Sequence, residues 1–286
     1  MPALVIHQHT ERQLQAFIAN PSHALLLHAP AGSGKTAIAE WLAARIIGQG
    51  DDDLHSYPYF FQIDAPAVSS EAIETVRKLE HFLSLRVPLP SKINRVVLIS
   101  NAHALSTQAQ NALLKTLEEP PAATLLIVTA PSQSSLLPTI SSRLQAIAVK
   151  KPSVRQVTKF FTEQAHGQPA IEQAYAVSGG LPGLLSALLG DKEHPLRPAT
   201  EVARHLLQGS LYDRLLLVEG LSKQKEHIGQ VLFILQQMAH SRLQATSGEQ
   251  FARWEQILTA SYEASDQLDK SGQPKLILDS LMLKLT

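Results

Sequence analysis

In 286 residues, 25 Lys+Arg are matched by 25 Asp+Glu, and this neutral balance argues against a basic coat for wrapping nucleic acid. With 44% apolar and 17% charged residues, the chain has the composition of a folded protein with two or three cores, since a domain usually takes roughly 100–150 residues. Cysteine is absent, which removes disulfides, thiolate zinc sites and cysteine nucleophiles together.

Up to about Val149, short apolar runs alternate with helical patterns, as in a parallel sheet covered by helices on both faces. Strands are predicted at Ala24–His28, Tyr59–Asp64, Val96–Ser100, Leu125–Thr129 and Ala146–Val149. Helices are predicted between them at Lys35–Ile47, Glu71–Leu85 and Thr107–Glu118, the last capped by Ser106 and stopped by Pro120-Pro121. From Lys151 the strand signals vanish, and helical patterns are broken by Gly179-Gly180-Leu181-Pro182-Gly183 and by Gly190–Pro198. The expected organisation is an α/β parallel-sheet domain over 1–150, a small helical lid over 151–192 and a larger all-helical domain over 196–286. In the last, Ile228, Val231, Leu232, Leu235, Ala239 and Leu243 repeat at helical spacing, as do Leu278, Leu281, Met282 and Leu285. The longest apolar runs, such as Leu125–Ala130, fall far short of the roughly 20 residues that cross a bilayer. The start of the chain lacks a basic-then-apolar signal pattern, so a cytoplasmic protein without membrane contact is expected.

The first predicted strand runs into Ala29-Pro30-Ala31-Gly32-Ser33-Gly34-Lys35-Thr36 and then a helix, the context of a phosphate-binding loop. Backbone amides and the helix N-terminus would cradle phosphates, Lys35 would reach the β- and γ-phosphates of ATP, and the Thr36 hydroxyl would face Mg²⁺. Position 29 is Ala where the pattern begins with Gly. The plainer reading is a glycine-rich turn that merely joins strand to helix.

Hydrolysis further requires an acid at the end of a second strand to hold the Mg²⁺ shell, and usually a carboxylate that orients water. Here the strand Arg95–Ser100 runs into Asn101-Ala102-His103, and the two acidic places carry neutral Ser100 and Asn101. Asp64 ends a different strand, and Glu118 and Glu119 close a helix. No ATPase activity of the chain's own is expected. His7, His9, His23, His28, His55, His81 and His103 are scattered without the paired spacing of a metal site, so no protein-bound zinc is expected. Asp51-Asp52-Asp53 reads as a solvated turn.

The stretch Asn111-Ala112-Leu113-Leu114-Lys115-Thr116-Leu117-Glu118-Glu119-Pro120-Pro121 resembles the signature of the AAA+ clamp-loader subunits of bacterial DNA polymerase III. His23–Leu27, Tyr57–Phe60, Pro138-Thr139-Ile140-Ser141-Ser142-Arg143 and the closing Gln273–Leu281 fall in that family's order, so the resemblance spans almost the whole chain. It implies an AAA+ P-loop module, its lid, and a helical collar that assembles a loader around primed DNA. Catalytic gamma or tau subunits keep the second-strand acids, whereas Ser100 and Asn101 are similar to the delta-prime type. Leu181-Pro182-Gly183, where catalytic subunits carry a nucleotide-sensing Arg, agrees. The implied partners are gamma/tau-type ATPase subunits, a delta-type subunit, the sliding clamp and, through the assembly, primed DNA.

The resemblance also assigns Arg143 as an arginine finger that reaches the ATP of a neighbouring subunit, and Thr129 to the sensor-one place beside the nucleotide. Without it, Arg143 would read as one surface arginine among several. Two departures stand out: a short loop, Gly48–Ser56, replaces the four-cysteine zinc module of many relatives, and Ser142-Arg143-Leu144 replaces Ser-Arg-Cys. Two rival readings remain open on the sequence, an ATP-hydrolysing gamma/tau-type subunit and an AAA+ nucleotide-sensing adaptor of DNA repair.

Overall fold

The computed structural model describes residues 4–50, 53–65, 78–79, 81–87, 92–190, 194, 196–270 and 272–285. The chain divides into two compact units, Met1–Lys151 and Pro152–Thr286.

In the first unit, five parallel strands, β1 (Ala24–His28), β2 (Phe60–Asp64), β3 (Arg95–Ser100), β4 (Thr124–Ala130) and β5 (Gln145–Ala148), stand in the order β2-β3-β4-β1-β5. The expected strand ends shift by a residue for identifiable reasons. Tyr59 lies in a turn in which the Phe60 N–H donates to the Tyr57 carbonyl, although the Tyr59 carbonyl already accepts from Val96. The N–H of Val149 likewise still donates to the His28 carbonyl after β5 has ended. The helices are α1 (Gln8–Ala19), α2 (Lys35–Ile47), α3 (Thr107–Glu118) and the single turn α4 (Pro138–Ser141). Ser106 caps α3 as expected, accepting from the Ala109 N–H at 3.2 Å. Most of the helix predicted at Glu71–Leu85 lies outside the described residues, and its described end, 81–84, is helical. Asp51 and Asp52 also lie outside them, while Asp53 leads into a short 3-10 turn, Leu54–Ser56, that buries Leu54.

Because successive strand residues face opposite sides, the sheet builds two cores. Leu25 and Leu27 pack with Leu14 and Phe17 of α1 and Ile38 and Leu42 of α2. Leu26 packs the other way, with Leu113 and Leu117 of α3 and Ile140 of α4. Each such side chain contributes about 1.5–3 kcal/mol on burial. Helix α1 is not announced by the sequence pattern; it buries only Thr10, Leu14 and Phe17, too few positions for a clear apolar period. Thr10 pins it to the sheet, since its hydroxyl donates to the Ala148 carbonyl and accepts from the Lys150 N–H.

The second unit consists of α5 (Val154–Glu163), α6 (Gln168–Ser178), α7 (Pro182–Leu189), α8 (Arg197–Gln208), α9 (Leu211–Leu221), α10 (Lys225–Ala245), α11 (Glu249–Asp269) and α12 (Pro274–Lys284). Its core joins Ile228, Val231, Leu232, Leu235 and Ala239 of α10 to Leu278, Leu281 and Met282 of α12, and takes in Leu181 and Leu184 at α7. The expected break at Gly179–Gly183 is narrower than the sequence implies. Gly179 and Gly180 close α6 in the left-handed region, but Pro182 and Gly183 already form the first turn of α7. Likewise Arg197 and Pro198, expected as linker, open α8, because proline fits a first helical turn whose N–H groups have no partner. Residues 191–193 and 195 lie outside the described chain.

Candidate functional site

The loop from β1 to α2 is built by backbone conformation. Gly32 and Gly34 have φ of 71° and 79°, in the left-handed region that a side chain disfavours, and Gly34 caps α2 from that conformation. Ala29 does not share it. It is buried, and its N–H donates to the Ala130 carbonyl at 3.2 Å, so the methyl at this position meets no backbone demand for glycine. Pro30 and Ala31 are exposed at the tip, and Thr36 is half-buried as the second residue of α2.

Lys35 opens the helix at only 7% exposure. Burial pulls its ammonium down to about 8, and no carboxylate among the described residues pairs with it. The Ser33 hydroxyl beside it is buried and without a hydrogen-bond partner. A buried cation, an unpaired hydroxyl and a helix N-terminus converge on one loop, and this donor set suits a phosphate group. Among the described residues no three His, Asp or Glu side chains gather as a metal site.

The second-strand end lies two strands away from β1, with β4 between. Ser100 is fully buried, its hydroxyl unpartnered, and it stands in register with Asp64 of β2. Asn101 follows in the left-handed region at φ 54°, and its N–H donates to the Thr129 hydroxyl at 3.0 Å. Thr129 is thus wholly buried and positions the turn after β3. Glu40 of α2 is raised first by burial and least by the charge of Asp64, against the lowering effects of His55 and Gln62.

His103, which spacing alone leaves outside any site, sits in that turn. Its imidazole is held below the ordinary value, first by desolvation and then by the charge of Lys35, which places it within electrostatic reach of the loop. The signal that could have found it is its position, three residues beyond the place where an acid was sought.

Arg143 follows α4 and is pinned in place: Nη1 donates to the Thr139 carbonyl at 2.8 Å, and Nη2 reaches Glu118 Oε1 at 2.6 Å. Glu118 belongs to the signature stretch on α3, which buries Leu113 and Leu117 and exposes Asn111, Lys115, Glu118 and Glu119. A second tie is Gln110, which no sequence signal marks. Its Nε2 donates to the Leu105 carbonyl and its Oε1 accepts from the Leu137 N–H, coupling α3 to the segment that leads to Arg143.

The family model described as DNA polymerase III, delta subunit, matches residues 6–153, just over half of the chain. The chain belongs to that family. Within the DNA polymerase III delta subunit family, it is 32% identical to the subunit delta' of Pseudomonas aeruginosa over 181 residues, covering 57% of this chain and 55% of that one. It is 30% identical to the Escherichia coli subunit delta' over 183 residues, 58% of this chain and 54% of that one. The match spans about half the length of these curated relatives. A DNA polymerase III gamma subunit-related protein of Thermotoga maritima shares the fold at TM-score 0.52 and 18% identity, covering 96% of this chain and 98% of that one. The first unit of this delta subunit family member is a five-stranded parallel sheet with a glycine-turned loop between β1 and α2, and α3 holds Arg143 through Glu118.

Proposed function

We propose that this chain is a delta-prime-type subunit of the DNA polymerase III clamp loader: a stator that binds ATP without hydrolysing it and supplies Arg143 to the ATP of a neighbouring subunit. The observation that carries the reading is the pairing of a phosphate-ready loop, centred on buried Lys35, with a second strand that ends in Ser100 and Asn101. The loop residues Ala29 to Thr36 would hold the triphosphate, with Thr36 toward Mg²⁺, but the strand supplies no carboxylate to complete the metal shell or orient water. Helices α5–α7 would serve as the lid, and α8–α12 as the collar that binds gamma/tau-type and delta-type partners. The sliding clamp and primed DNA would be met through the assembled complex.

Arg143 suits the role energetically. Its pair with Glu118 is half-exposed, and exposed ion pairs contribute only about 0–1 kcal/mol, so a phosphate can displace the carboxylate at little cost. A finger of this kind adds roughly 10³–10⁵ to phosphoryl-transfer rates by neutralising charge on the γ-phosphate. The test is clamp- and DNA-stimulated ATP turnover by the reconstituted loader, with the unmodified chain or Arg143→Ala, after equal assembly is verified. Turnover should fall by orders of magnitude; equal turnover removes Arg143 from the reaction. Separately, the purified chain should bind ATP but show no turnover that Lys35→Ala abolishes, and such turnover would establish a motor subunit instead.

A further inference from the structure

The helical unit Pro152–Thr286 contains a cavity of about 730 Å³ that the proposed function leaves unused. Three arginines from three helices line it, Arg204 of α8, Arg242 of α10 and Arg253 of α11, together with Trp254. Val177, Leu188 and Met238 give it an apolar side. Among the described residues, no Asp or Glu lines it and none of the three arginines forms an ion pair. Three guanidinium groups facing one space, with no carboxylate of the described residues among them, supply the donors to hold an anion.

A fourth arginine extends the same field. Arg214 of α9 is 5% exposed, and its Nε is buried without a hydrogen-bond partner. Its guanidinium is depressed first by burial and then by the charge of Arg253. Buried arginine is ordinarily paired with a carboxylate, so an unpaired one beside a cationic cavity adds to the positive potential there.

The chemistry of the lining selects a class of ligand. Arginine forks bind phosphate oxygens bidentately, and the indole of Trp254, packed partly buried against the helical core, offers a flat face for stacking. Small-molecule sites usually enclose about 300–1,000 Å³, the range in which this cavity falls. An acidic peptide would satisfy the arginines but has no use for the indole face. We propose that the cavity binds a nucleoside di- or triphosphate, its phosphates on Arg204, Arg242 and Arg253 and its base against Trp254, at a site separate from the P-loop.

The chain has two tryptophans, so Trp41→Phe leaves Trp254 as the only indole, and Lys35→Ala silences the P-loop. In this full-length double variant, ATP and GTP should quench Trp254 fluorescence saturably. Adding Arg204→Gln and Arg242→Gln should weaken that binding at least about tenfold, which is roughly what one charge-assisted hydrogen bond is worth. Both side chains are exposed, and an unchanged melting temperature verifies that the helices remain folded. Inorganic pyrophosphate should compete without quenching. Absence of saturable quenching into the millimolar range, or the same affinity after both arginine replacements, overturns the proposal. So does tighter binding of a single-stranded oligonucleotide or of a glutamate-rich peptide than of either nucleotide, which assigns the cavity to that macromolecule.

Discussion

Lys35 carries its charge where little water reaches it, and this has a measurable consequence for stability. Its folded pKa of about 8 lies below the ordinary 10.5, so the unfolded chain binds more protons between these values and stability rises with pH across that window. Denaturant midpoints at pH 7.5 and 9.5 should show an increase of order 1–3 kcal/mol that is missing from Lys35→Met. Affinity for phosphate should move the opposite way, weakening as Lys35 loses its proton above about pH 8. Arg95 offers a second test. It is almost fully buried, donates to the carbonyls of Leu83 and Leu85, and lies over the Phe82 ring. Arg95→Leu would leave those carbonyls unpaired, and unfolding experiments should register a loss of about 2–5 kcal/mol. The loop around Lys35 was legible because its residues are contiguous. Arg95 and Gln110 were not, since their partners lie 5 to 27 positions away and no local pattern announces them.

Among the elements, the strands, α2, α3, α10 and α12 were readable from apolar period and caps, whereas α1, α11 and the openings of α7 and α8 were not. Proline and glycine in a row signal a break, but they do not reveal whether the proline ends one helix or begins the next. Helix α9 shows how local chemistry fixes such a start. Ser210 and Asp213 form a reciprocal capping box, and the bonds from Ser210 hold the Asp213 carboxyl below its ordinary value. Ser210→Ala should destabilise the helical unit by about 1 kcal/mol in thermal unfolding. The cap should also weaken as pH falls through the carboxylate range, because a protonated Asp213 accepts these bonds less strongly than the carboxylate does. The same helix exposes Tyr212 at 71% and Leu216 at 61%, an apolar surface that a lone helix has no reason to keep wet. If α9 belongs to the collar contact, Leu216→Lys should reduce co-purification with a gamma/tau-type subunit while leaving the melting temperature unchanged.

For the molecule as a whole, balanced charge limits what the chain can do alone. With 25 cationic and 25 anionic side chains, the isolated protein should bind primed DNA weakly, and its affinity should change little with salt, as fluorescence anisotropy at two ionic strengths can measure. A steep salt dependence would mean that a basic face is concentrated on one surface after all. The boundary between the two units was legible as a change of period near residue 150, from alternating strands to helices alone. The arginine cavity was not, because its lining residues are spread over nearly ninety positions and meet only when the helices pack. The pairing of Arg143 with Glu118 bears on timing. A guanidinium that already has an anion gains from a new one only by the difference between them, so a dianionic γ-phosphate displaces the carboxylate readily while a singly charged group merely breaks even. On the proposed reading the carboxylate would set a threshold: Arg143 would be released by a neighbour fully charged with triphosphate, and would return to Glu118 once that charge departs.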